Sequence, residues 1–165
     1  MRRLPVYVAS PFGFTLPTRI FYNRTLLPAL FANGAEPLDP WAAPFQDLPE
    51  ALRLPPGPAR DEALAAANRR HGAYNRGLLD RCRAVFAVLD GTDVDSGTAS
   101  EIGYASALGH PVTAWRSDTR MTGDNAGCVV NLQVQHFIES GGGGVHTDLG
   151  AALDGLGKSL RALRS

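Results

Sequence analysis

One stretch constrains the fold more than any other: Ala84 to Arg116, AVFAVLDGTDVDSGTASEIGYASALGHPVTAWR. Ala84 to Leu89 is an apolar run with no polar break, the pattern of a parallel strand buried on both faces. Three acids close it within six residues: Asp90, Asp93 and Asp95. Ser96-Gly97-Thr98 then opens a helix that carries Glu101 in its first turn. Gly103, Ala105 and Ala107 let that helix lie close to a sheet. Gly109-His110-Pro111 stops it, and Val112 to Trp115 reads as the next strand. Ligands of open α/β sheets collect at the carboxyl ends of the strands, so Asp90, Asp95 and Glu101 are expected to face one pocket.

The remaining segments fit the same plan. Val6 to Ala9 is the first strand, ending in the loop Ser10-Pro11-Phe12-Gly13-Phe14. Pro17 suits a first-turn proline, and Ile20, Phe21, Leu26, Leu27, Leu30 and Phe31 mark an amphipathic helix that Pro28 kinks and Asn33-Gly34 ends. Glu36 to Trp41 reads as a short second strand running out into a loop. Residues 42–59 hold five prolines and read as irregular with a helical turn, a rim or lid over the pocket. Ala59 to Cys82 reads as one helix, with Asn68, His71 and Asn75 as polar positions on its inward stripe. The polar stretch from Ser117 to Gly127 is a surface loop; its Asp118 and Asp124 lack the spacing of a calcium loop. Gln135 to Ile138 reads as the last strand, Gly141 to Gly144 as a flexible connector, and Leu149 to Leu163 as a closing helix.

Five short strands alternating with helices predict a doubly wound five-stranded parallel sheet, with helices on both faces and the flavodoxin-like order 2-1-3-4-5. Residues 1–165 are expected to form a single domain. The crevice between strands one and three then gathers Tyr7, Phe12, Phe14, Asp39, Trp41, Asp90, Asp95 and Glu101. Of the three polar positions on the long helix, Asn75 lies best for a ligand.

Composition removes several classes. The formal net charge is zero, which argues against a nucleic-acid surface. Cys82 and Cys128 fit no metal spacing and no disulfide framework, so reduced thiols and a cytoplasmic setting are expected. No apolar run has the length of a membrane span, and the N-terminus lacks the core of a signal peptide. Neither the dinucleotide glycine fingerprint nor a P-loop occurs.

Glu101 has two readings. Thr98-Ala99-Ser100-Glu101 fits a capping box. Against this, four carboxylates within twelve residues repel one another, a cost that a cap does not require. A helix N-terminus favours an ionised carboxylate, the form a nucleophile at a sugar carbon needs. Aromatics beside carboxylates suit a nucleoside, whose base stacks on Phe or Trp while its sugar hydroxyls bond to Asp. Trp41 serves equally well as a core aromatic.

These residues resemble one known family, the nucleoside 2-deoxyribosyltransferases. The likeness lies in Tyr7 to Phe14, Leu38-Asp39-Pro40-Trp41, Asn75, Leu89 to Ala105 and Val130-Asn131-Leu132-Gln133, with D-x-G-T-x-x-E-x-G-x-A at Asp95 to Ala105 its most specific piece. The resemblance implies transfer of 2-deoxyribose between nucleobases in nucleotide salvage, through a deoxyribosyl ester on Glu101. It implies that Tyr7 orients Glu101 and that Asp95 contacts the base and acts on it. Phe12, Phe14, Asp39, Trp41, Asn75, Asp90, Asn131 and Gln133 are the implied substrate contacts. Asn131 is lent to a neighbouring subunit, which makes a homo-oligomer, and neither cofactor nor metal takes part. Some branches carry Asp where this chain has Asn75; an amide is no acid, so the proton for the leaving base falls to Asp95, with Asp90 in reserve. Two alternatives stand beside this reading: an N-glycoside hydrolase of nucleosides or nucleoside 5′-monophosphates, and a non-catalytic nucleoside sensor.

Overall fold

The computed structural model describes residues 2–164. Its five strands are β1 (Leu4–Ala9), β2 (Ala35–Leu38), β3 (Ala84–Val88), β4 (Val112–Trp115) and β5 (Gly144–His146). They form one parallel sheet in the order β2-β1-β3-β4-β5, as the alternation of elements predicts. The helices are α1 (Leu16–Phe21), α2 (Leu27–Ala32), α3 (Asp47–Arg53), α4 (Pro58–Arg81), α5 (Ser96–Ala107), α6 (Leu132–Ser140) and α7 (Leu149–Ala162).

Alternation along the central strands feeds two cores. Tyr7, Val85, Ala87 and Leu89 pack with Leu78, Ile102 and Ile138 from α4, α5 and α6. Val6, Val8, Phe86 and Val88 pack on the other face with Leu26, Leu30, Leu156 and Leu160. Both faces of β1 and β3 are thus covered, which is why their sequences carry no polar break. Among the described residues no helix is long and apolar enough to cross a membrane.

Three expectations change. Gln135 to Ile138 is not a strand but part of α6. Asn131 caps that helix, its Oδ1 accepting from the N–H groups of Gln133 and Val134, and Val134 and Ile138 lie buried one turn apart. The glycine run is instead the entry to β5. Gly142 turns the chain at φ +78°, and Gly143 passes so close to β4 that a Cβ on it would lie 1.7 Å from the Val112 carbonyl oxygen. Finally, Pro28 does not simply kink its helix. Proline clashes with the carbonyl four residues back; here a π turn, Tyr22–Leu26, widens the helix just before it, and the Leu27 N–H reaches the Tyr22 carbonyl.

Candidate active site

The cavity, of about 530 Å³, opens above the carboxyl ends of β1, β2 and β3 and is walled by α4 on one side. At its floor stands Glu101. It is the sixth residue of α5, in the second turn and not the first, on the side that also buries Thr98, Ile102 and Ala105. The capping box is therefore not formed. Asp95 is the N-cap, and its Oδ2 accepts from the Thr98 N–H at 3.0 Å and the Thr98 hydroxyl at 3.4 Å. That frees Glu101 to face β1, where the Tyr7 hydroxyl donates to its Oε1 at 2.5 Å.

Burial dominates the electrostatics of this pair. It lifts the Glu101 carboxyl from an ordinary 4.5 to about 7, with the Asp95 charge adding to the rise and the Tyr7 hydrogen bond opposing it. The expected help from the helix N-terminus does not prevail, because the dipole's influence fades beyond the first turn. Tyr7 is itself buried, and burial together with the Glu101 charge pushes it well above the ordinary tyrosine range, so it stays a donor.

Aromatic walls come from the loops after β1 and β2. Phe14 and Trp41 meet edge to face with centroids 4.7 Å apart, and both line the cavity. The Trp41 indole N–H donates to the Ser10 carbonyl at 3.0 Å, which ties the two loops together. Gly13 makes room for that ring, since a Cβ there would lie 2.0 Å from it. Asp39 holds the turn from below: its Oδ1 accepts from the Trp41 N–H and from the Tyr22 hydroxyl that the π turn presents.

Of the residues singled out in the sequence, Phe14, Trp41, Asn75, Asp95 and Glu101 line the cavity, with Tyr7 and Asp39 bonded behind. Phe12 does not line it. It is buried against Phe21 and Trp115, edge to face with each, because Pro11–Gly13 wind as a 3-10 turn, which sends Phe12 and Phe14 to different sides. Asp90 does not line it either. Its carboxylate accepts from the N–H and hydroxyl of Ser117 and the N–H of Asp118, fastening the loop after β4. Asn131 caps α6 and Gln133 lies exposed on that helix, both off the cavity within this chain. Asp118 pairs with Arg120, and Asp124 accepts from the Leu132 N–H.

Sequence reasoning missed part of the lining. Phe45, Leu48 and Pro49 reach the cavity from the proline-rich segment, whose helical turn is α3. Arg19 enters from α1, where its guanidinium donates to the Gly13 carbonyl, while Asn68 and His71, ranked below Asn75 in the sequence, join it along α4. The i, i+3, i+7 spacing of Asn68, His71 and Asn75 on α4 is the signal for His71.

A pocket at the carboxyl edge of a doubly wound parallel sheet is the arrangement of α/β proteins that take a small ligand at their switch point. Residues 6–133 match the model of the family described as Nucleoside 2-deoxyribosyltransferase, and the chain belongs to that family. Solved structures of similar fold include a 2-desoxiribosyltransferase from Leishmania mexicana, 23% identical with a TM-score of 0.63 over 94% of this chain and 97% of that one. A conserved protein from Enterococcus faecalis is 23% identical with a TM-score of 0.65 over 96% and 99%. A 2-deoxyribosyltransferase from Bacillus psychrosaccharolyticus is 18% identical with a TM-score of 0.55 over 90% and 95%. An uncharacterized protein of Schizosaccharomyces pombe is 32% identical over 83 residues, 48% of this chain but only 36% of its own length.

Proposed function

We propose that the chain moves 2-deoxyribose between nucleobases by double displacement on Glu101. The observation that carries this reading is the Tyr7–Glu101 pair on the cavity floor. A Glu101 oxygen attacks C1′ of the bound nucleoside, the C1′–N bond breaks, and its electrons leave with the base. The glycosyl ester is then attacked by a second base from the face the first one left, so configuration is retained. Tyr7 fixes which carboxylate oxygen is free to attack. Phe14 and Trp41 supply a stacking surface for the base. Asp95 and Asn75 are substrate-side groups in this reading, Asp39 supports the Trp41 turn behind them, and Phe12 and Asp90 hold the β1 and β4 loops.

Incubation with 2′-deoxyguanosine and free adenine tests it: deoxyadenosine should appear. Guanine without deoxyadenosine would mean hydrolysis, and no change would leave a binding protein. The transition state gathers positive charge at C1′, which a 2′-hydroxyl opposes. Deoxyadenosine should therefore react more than about tenfold faster than adenosine, a gap that needs only about 1.4 kcal/mol. Equal rates would remove the sugar preference. Arg19 in the lining favours a second reading, hydrolysis of nucleoside 5′-monophosphates, though its Nε and Nη2 are turned to the Gly13 carbonyl.

The proposal extends to assembly, with Asn131 completing a neighbour's site in a homo-oligomer. Support comes from the exposed apolar side chains of Val129 and Leu132 beside it. Within one chain Asn131 is engaged as a cap, and the two roles compete. Glu101→Ala and Asn131→Ala proteins unfolded and refolded together should recover activity that neither has alone. Mixed oligomers without recovery would return Asn131 to its capping role only.

A further inference from the structure

We propose that His71 is the proton donor to the departing nucleobase, and that the base it serves is a purine protonated at N7. This rests on the transferase reading above and names the acid which that reading leaves open. The titratable side chains lining the cavity are Arg19, His71, Asp95 and Glu101, with Tyr7 behind them. Glu101 is the nucleophile. Tyr7 spends its proton on Glu101. Asp95 is anchored as the N-cap of α5, its Oδ2 accepting from the Thr98 N–H and hydroxyl, so its place is against the helix start. A guanidinium does not release one either, and the amides of Asn68 and Asn75 are not acids. Histidine, whose proton exchanges most readily near neutral pH, is what remains.

The surroundings of the ring suit the task. His71 Nδ1 lies 2.9 Å from the Ala67 carbonyl oxygen one turn back, so Nδ1 carries a hydrogen and Nε2 is the nitrogen left to meet a ligand. Asp47 Oδ1 stands 3.9 Å from Nδ1, while its other oxygen faces Arg70 Nε at 3.3 Å. Phe45 packs edge to face on the ring at 5.5 Å. Asp95 and Glu101 face the same space from α5, and Arg19 from α1. Asn75 lies one helical turn further along the same face, and its Oδ1 is buried without a hydrogen-bond partner. A purine presents two adjacent groups to such a pair: N7, an acceptor, and the substituent at C6, an amino donor in adenine or an oxygen acceptor in guanine. The Asn75 amide can turn either end to the second of these.

As Glu101 bonds to C1′, the C1′–N9 electrons pass into the purine and N7 takes the proton from His71 Nε2, leaving a neutral imidazole. In the second half-reaction N9 of an incoming purine attacks C1′, and its N7 proton returns to Nε2.

Two substrates test this, 2′-deoxyguanosine and 7-methyl-2′-deoxyguanosine. The methylated base departs neutral and needs no proton. His71→Gln and His71→Asn should slow base release from 2′-deoxyguanosine by about 100-fold or more. Release from the methylated nucleoside should stay within about threefold, which also reports a folded site. Equal loss of both reactions in both variants, or no loss in either, overturns the assignment. If the unaltered protein releases base from neither nucleoside, the transferase reading itself falls.

Discussion

Glu101→Gln should abolish turnover and, in the same protein, raise stability above neutral pH. The first effect follows from the nucleophilic role proposed for Glu101. Removing a group that forms the covalent intermediate costs roughly ten-thousand-fold or more in rate. The second follows from burial. The folded-state value, about 7, stands above the ordinary 4.5, so the folded protein binds more protons between the two. Stability is therefore fully present below about 4.5 and declines as pH rises through about 7, by at most ~3 kcal/mol. An amide keeps the oxygen that accepts from Tyr7 and carries no charge, so it escapes this loss. Thermal unfolding of the two proteins should coincide near pH 4.5 and diverge by pH 8, with the variant higher. The same titration shapes the acid side of the activity profile: kcat/KM should rise as pH climbs through about 7. Full turnover in Glu101→Gln would sink the covalent mechanism, and coincident melting at pH 8 would refute the burial argument.

Gly143→Ala should be the most damaging single-methyl change in the sheet. Its Cβ would lie 1.7 Å from the Val112 carbonyl oxygen and 3.0 Å from that of Ile138, both backbone atoms that cannot swing aside. Room can be made only by moving the chain that leads into β5, which pairs with β4 from Thr113–Gly144 onward. Such overpacking costs roughly 3 kcal/mol, or a Tm lowered by about 6–12 °C. Gly142→Ala is the control. It meets no atom within 4 Å and carries only the strain of φ +78°, so it should cost roughly 1–2 kcal/mol. A melting temperature for Gly143→Ala above that of Gly142→Ala would contradict the packing account.

Much of this was legible in the sequence because single strong signals carry it. The unbroken apolar run of β3 could only be a two-sided strand, and the acids after it mark the carboxyl edge. What was not legible depended on contacts between distant segments. β5 has three residues led by a glycine, too short for any periodicity, while Val134 and Ile138 suit a strand or a helix equally until their common neighbours are seen. Thr98 and Asp95 are both good caps, and only the packing of Ile102 decides that Asp95 serves and Glu101 turns inward. Phe12 and Phe14 are alike in type, and the fold of one loop sends the first to the core and the second to the cavity. Phe45 reaches the cavity from an irregular, proline-rich segment, which no local pattern announces.

The strand order has a consequence in time. The Tyr7 hydroxyl and the Glu101 carboxylate are separated by 94 residues along the chain, and β1 lies between β2 and β3. The segment β3–α5–β4 is contiguous and can assemble from near neighbours, whereas seating β1 closes a long loop and comes at a cost in chain entropy. On refolding, helical signal should return before any catalytic competence does. The pairing of β1 with β3 is what brings the two halves of the Tyr7–Glu101 pair together.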